Sequence, residues 1–193
     1  MTPTGASMNS EAMLRRALHG VDSVVDGAAE RAWSRSSPCP DWNARAVLGH
    51  LIDVSAQIAG LMRNQPASPC TEVAALEELV GQRPASAWAS AHAQILESLA
   101  DACSSTIQTA RGPVAHEQVL LMVTVEPLIH GWDLARALEC RDELDPDVVE
   151  AVLPGVLAAR QEMTATGMYA PPVPVPAHAP VRDQLLAALG RTP

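Results

Sequence analysis

The sequence predicts an all-α protein, an up-and-down four-helix bundle with extra short helices and a proline-rich C-terminal strap. Three observations lead there. Four long stretches carry apolar residues at helical spacing and are joined by loops of moderate length. Aromatic residues make up only 3% of the chain (four Trp, one Tyr, no Phe), so the core rests on Ala, Leu and Val and favours helices over sheets. The run Pro171-Pro172-Val173-Pro174-Val175-Pro176 cannot be a regular helix and reads as an extended polyproline-type strap. With 193 residues, a single domain is expected, its core bundle over about 10–160 and its strap and closing helix over 161–193.

Leu14, Ala17, Leu18, Val21, Val24, Val25 and Ala28 place a first helix over about Ser10–Trp33, with Ser10 as its cap. The Ser- and Pro-rich stretch Ser34–Asp41 is a loop. Asn43 caps a second helix whose stripe is Val47, Leu51, Val54, Ile58 and Leu61, and which stops before Pro66. A loop follows over Asn64–Cys70, then a short helix over Glu72–Val80. Pro84 suits the first position of a third long helix striped by Trp88, Ala91, Ile95, Leu99 and Ala102. Thr106–Val114 reads as an extended connector. A fourth helix covers about Ala115–Leu138; its middle, Leu120–Ile129, is apolar on nearly every side, as in a helix buried all round. Asp145-Pro146 opens a fifth helix that Pro154 should bend or end, and Arg182–Leu189 closes the chain as a short helix.

The formal charge is −9, and all 13 basic residues are Arg. An acidic chain with no basic cluster does not match nucleic acid, whose phosphates need concentrated positive charge. No apolar run nears the length that spans a bilayer, and Met1–Ser10 lacks a secretory pattern, so a cytoplasmic protein without membrane partners is expected. Cys39, Cys70, Cys103 and Cys140 are far apart and are expected to be free thiols. The flat helix faces of a small bundle allow a homodimer, although no distinct interface stripe marks one.

The chemistry concentrates on Glu126, which lies within the most apolar helix. A lone buried carboxylate is very costly, so this acid must be protonated, paired or bound to a metal. His130 stands one turn further along the same face, and Pro127 between them removes a helical N–H and predicts a local distortion. His50 falls on the buried stripe of a different helix. Two imidazoles and one carboxylate with an open position make up catalytic zinc sites, and the same trio serves non-haem Fe(II). A Glu–His pair at this spacing is also common as a surface ion pair worth about 0.3–0.5 kcal/mol, but apolar surroundings oppose that reading. Asp133 extends the face of Glu126 and His130 and could orient a ligand, or pair with Arg136. Gln57 looks inward from the His50 helix, and His92 shares the Trp88 stripe; both are candidates for a pocket wall or for satisfying core groups. His19, His116 and His178 carry no constellation. Cys39 has no basic neighbour evident in the sequence to activate it.

At these residues a family resemblance emerges. Ser37–Leu51, with Pro38-Cys39-Pro40-Asp41-Trp42 and His50, resembles the "TPCPGWxVRDLVAHL" segment of the N-terminal domain of mycothiol-dependent maleylpyruvate isomerases. Glu126-Pro127-Leu128-Ile129-His130-Gly131-Trp132-Asp133-Leu134-Ala135-Arg136-Ala137 is similar to the family's second signature, an acid and a histidine before "WDLARA". Pro171–Gly190 resembles the tail of its short members. The resemblance implies a DinB-like metal-binding bundle with a divalent metal, usually Zn2+ with Ni2+, Fe2+ and Mn2+ as alternatives, held by His50, Glu126 and His130. It also implies that the metal ionises a low-molecular-weight thiol such as mycothiol, which adds to an electrophilic substrate, as in a transferase or isomerase. A non-catalytic binding module and a metal-hydroxide hydrolase are the alternatives. The full isomerases carry a larger C-terminal domain. Here only about fifty residues follow the second motif's helix, so a short single-domain member is expected.

Overall fold

The computed structural model describes residues 9–29, 32–66, 68–102, 104–109 and 112–193. Cys103 and the stretch from Met1 to Met8, read above as a free thiol and as lacking a targeting signal, lie outside these residues. Among the described residues the protein is all-α apart from one hairpin. Its elements are α1 (Ser10–Asp26), α2 (Ala44–Met62), a 3-10 turn (Val73–Ala75), α3 (Leu76–Val80), α4 (Pro84–Asp101), β1 (Thr106–Thr109), β2 (Gly112–Ala115), α5 (His116–Leu138), α6 (Pro146–Ala165) and α7 (Val181–Ala188). No helix among the described residues is long and apolar enough to cross a membrane.

Helices α1, α5, α2 and α4 form the bundle, each packed on its neighbours in that circular order. Leu14, Leu18 and Val21 of α1 meet Val47, Leu48 and Leu51 of α2, Trp88 and Ile95 of α4 and Leu134 of α5 in one core. A second core lies on the opposite side of α5. There Val125, Leu128, Ile129 and Trp132 pack on Val148, Val149 and Val152 of α6, Leu185 and Leu186 of α7, and Tyr169. Two cores on one helix account for most of the apolar run Leu120–Ile129, but the helix is not buried all round as its sequence suggests: Met122 is 66% exposed, and Val123 and Glu126 face a cavity.

Several boundaries differ from the sequence reading. Asn9, not Ser10, caps α1, its side chain accepting from the Ala12 N–H at 2.8 Å, and the helix stops at Gly27 rather than Trp33. Asn43 does cap α2, accepting from Ala46 N–H at 2.9 Å. The connector over 106–115 is a two-stranded antiparallel hairpin that pairs Thr106 with Ala115 and Thr109 with Gly112. Neither Pro127 nor Pro154 ends its helix: α5 and α6 run through them, because a proline removes one N–H and the flanking turns keep their packing. The strap has no helical structure, and its Val173 N–H is tied to Ala187 O of α7 at 2.9 Å.

Two glycines allow close approaches of the backbone. A Cβ at Gly49 would collide with the Leu76 backbone, so α3 lies directly against α2 beside His50. Gly190, at φ +79°, turns the chain after α7, where a Cβ would meet Ala170 Cβ at 2.7 Å.

Candidate metal centre

α5 carries Glu126, His130 and Asp133 on its inner face, and α2 brings His50 across to them. His50 Nε2 lies 3.2 Å from Glu126 Oε2, and His130 Nε2 lies 3.5 Å from the same oxygen. The two imidazole rings stand edge to face with centroids 4.6 Å apart. Two donors on a tetrahedral zinc, with bonds of roughly 2.0–2.1 Å, stand about 3.4 Å apart. The donor set therefore fits one cation without rearrangement of the helices. Trp42, held by the loop before α2, covers both rings at 5.0 Å and 6.0 Å.

The acid is held from its other side. The Tyr169 hydroxyl donates to Glu126 Oε1 at 2.7 Å. Burial by itself would push the Glu126 carboxyl up, but the His50 hydrogen bond, the neighbouring imidazole charges and the Tyr169 hydroxyl outweigh it and hold it at about 2. Burial and the facing carboxylate push the Tyr169 phenol well above its ordinary value, so it remains a donor.

Behind His130 lies a buried ionic cluster. His130 Nδ1 is 3.0 Å from Asp133 Oδ2, and since a carboxylate only accepts, the ring donates there and presents Nε2 to Glu126. Asp133 is fully buried, and Arg191, from the end of the chain, donates to its two oxygens at 2.6 and 3.2 Å. Burial raises the Asp133 carboxyl, while His130 and Arg191 lower it further, to about 2. The sequence alternative of an Asp133–Arg136 pair does not form: Arg136 pairs with Asp142 and lies over the Trp132 ring.

Cys39 also belongs to this cluster. Its thiol donates to Asp133 Oδ2 at 3.1 Å and accepts from Arg191 Nη2 at 3.1 Å. Burial first, then the Asp133 charge, pushes the thiol up to about 12 despite the arginine. A basic neighbour does exist, contrary to the sequence reading, yet Cys39 stays protonated. Cys39, His130 and Asp133 form a second group of clustered donor atoms, on the Nδ1 side of His130. The Arg191 guanidinium already provides the positive charge there, so the His50–Glu126–His130 side is the one open to a cation.

That side faces a cavity of about 810 Å³, lined by Trp42, Val54, Leu61, Val123 and Met168 as well as by His50, Glu126 and His130. Gln57 also lines it, but its amide donates to Asp53 at 2.8 Å, and Asp53 in turn accepts from the Thr71 hydroxyl at 2.7 Å. His92 is not brought to this site. It shares Asp22 with the Trp88 indole on the α1–α4 side, at 2.9 and 2.7 Å. His19 and His178 are exposed, and His116 is half-buried at the start of α5.

Sequence reasoning did not find Tyr169 or Arg191. The available signals were slight: Tyr169 is the only tyrosine and stands two residues before the proline strap, and Arg191 is an arginine in an apolar tail.

The family model described as the mycothiol maleylpyruvate isomerase N-terminal domain matches residues 14–135. Two uncharacterized proteins of Mycobacterium tuberculosis, MT0763 of strain CDC 1551 / Oshkosh and Rv0738 of strain ATCC 25618 / H37Rv, are each 29% identical to the chain over 158 residues. Those residues cover 81% of this chain and 83% of each relative. No solved structure matches the chain significantly.

Proposed function

Because the chain belongs to the mycothiol maleylpyruvate isomerase N-terminal domain family, we propose that His50, Glu126 and His130 hold a divalent cation, zinc first among the candidates, and that the protein uses it to transfer or isomerise through a low-molecular-weight thiol of the mycothiol type. The observation that carries this reading is the convergence of three donor atoms, 3.2 and 3.5 Å apart about Glu126 Oε2, on the wall of a cavity of about 810 Å³.

Bound there, a divalent cation supplies the positive charge that makes a thiol ionise near neutral pH. The chain's residues do the rest. Glu126 contributes negative charge held through Oε1 by Tyr169, so Oε2 stays directed at the imidazoles. His130 keeps its proton on Nδ1, against Asp133, and leaves Nε2 free as a donor. Trp42 stands over both imidazoles, and Val54, Leu61 and Val123 give the cavity an apolar wall beside them. Glu126, as a ligand, cannot also serve as a base.

Metal analysis of the purified protein tests the site. About one equivalent of a divalent metal per chain is expected, and His50→Ala and His130→Ala should lose it. Full metal content in both variants would sink the assignment. Titrating the Co2+-substituted protein with mycothiol or a simple thiol should then change its visible spectrum; an unchanged spectrum would remove the thiol from the reading and leave a binding module.

A further inference from the structure

We propose that Arg191 is a positioning residue for the metal centre, setting from the C-terminal tail the orientation and tautomer of His130 and the pose of Tyr169 against Glu126. The inference rests on the reading of His130 and Glu126 as ligands and adds a residue beyond the stretch matched by the family model, which ends at 135. Two links run from the one guanidinium. Through Asp133 it reaches His130: the arginine fork holds both carboxylate oxygens at 2.6 and 3.2 Å, and Asp133 Oδ2 accepts the His130 Nδ1–H at 3.0 Å. Through Tyr169 it reaches Glu126: the guanidinium lies 5.5 Å over the phenol ring, whose hydroxyl donates to Oε1 at 2.7 Å. Arg191 is itself fixed, since a third bond runs to Leu189 O at 2.7 Å and Gly190 turns the chain tightly against Ala170.

Stability alone is a weak reason for this arrangement. Replacing a buried ion pair by well-packed apolar groups is often neutral or stabilising, so an apolar tail would cover α5 at least as well. What the pair adds is direction. A bidentate fork allows one pose of the carboxylate, and that pose decides which imidazole nitrogen carries the proton. Without Arg191, Asp133 keeps its charge but can rotate, and His130 can then shift its proton to Nε2, where it would block a cation.

The test uses the full chain in two forms. In the metal-free protein, 15N-labelled histidine is observed by NMR; in parallel, Zn2+ affinity is measured by chelator competition. Wild type should show His130 protonated at Nδ1. Arg191→Met should show a mixed or Nε2-protonated ring and bind Zn2+ about 10–100-fold more weakly. Arg191→Lys, which restores the charge without the fork, should recover part of both. If Arg191→Met does not fold, the wild-type and Arg191→Lys proteins decide the matter on the same two readouts. Wild-type tautomer and wild-type affinity in a folded Arg191 variant would overturn the proposal. Failure of the metal reading looks different: His130→Ala would keep its metal, while the tautomer of the metal-free protein would still depend on Arg191.

Discussion

Tyr169 holds Glu126 by one oxygen and leaves the other to the histidines. The phenol sits 2.7 Å from Oε1, while Oε2 lies 3.2 Å from His50 and 3.5 Å from His130. The tyrosine follows α6 and is 43 residues from the glutamate. A carboxylate on a buried helix face can turn about its last torsion, and this hydrogen bond fixes which oxygen faces the site.

Tyr169→Phe removes that bond and little volume. The expected result is a folded protein whose divalent-metal affinity falls about tenfold, in keeping with the loss of a group that braces a metal ligand. Chelator competition on the two proteins checks this, and an unchanged affinity would show that Glu126 needs no brace.

His92→Ala provides the contrast. His92 and Trp88 share Asp22 on the far side of the bundle. Losing the imidazole should cost about 1 kcal/mol of folding free energy, read by denaturant unfolding, with metal content unchanged. A loss of metal equal to that in His50→Ala would mean that the α1–α4 side is coupled to the site.

Gly49→Ala tests the contact beside His50. The new methyl would meet the Leu76 backbone, which cannot yield as a flexible side chain could. Separation of α2 from α3 should lower stability by about 1–3 kcal/mol and weaken metal binding, because His50 is the next residue on α2. Thermal unfolding together with metal affinity measures both effects; a stability within a few tenths of a kcal/mol of wild type would contradict the packing described.

The acid limb of stability in the metal-free protein should be steep. Glu126 and Asp133 are each held at about 2, below the ordinary carboxylate range. A depressed carboxylate pKa gives stability that is present above the unfolded value, near 4, and lost as pH falls through the folded value. The two groups contribute roughly 2–3 kcal/mol each, so the decline should lie between about pH 4.5 and 2. Unfolding free energies measured across that range check it; a flat profile would show that the cluster is not charged as described.

Cys39 should resist alkylation. Its thiol is held up to about 12 and is buried, whereas Cys70 is exposed. Iodoacetamide at pH 8 should label Cys70 well before Cys39 in the native protein, and site-resolved mass spectrometry reads the order. Equal labelling would place Cys39 in a different environment.

The local pattern of the chain was enough to place the four bundle helices and to put His50, Glu126 and His130 on their inward-facing stripes. An apolar stripe repeats every three to four residues, and a polar side chain within it must point where the stripe points, so spacing carries the information. The ends of helices were less legible: Asn9 rather than Ser10 caps α1, because the choice depends on one residue's backbone conformation. The sequence also left the connector's hairpin, the partner of His92 and the partner of Asp133 undecided. Arg191 meets Asp133 across 58 residues, Tyr169 meets Glu126 across 43, and Cys39 meets Asp133 across 94. No helical period relates positions so far apart. Only the tertiary fold brings them into contact: the loop before α2 delivers Cys39, and the chain after α6 returns to α5 with Tyr169 and Arg191, so that buried polar groups find partners that no local pattern specifies.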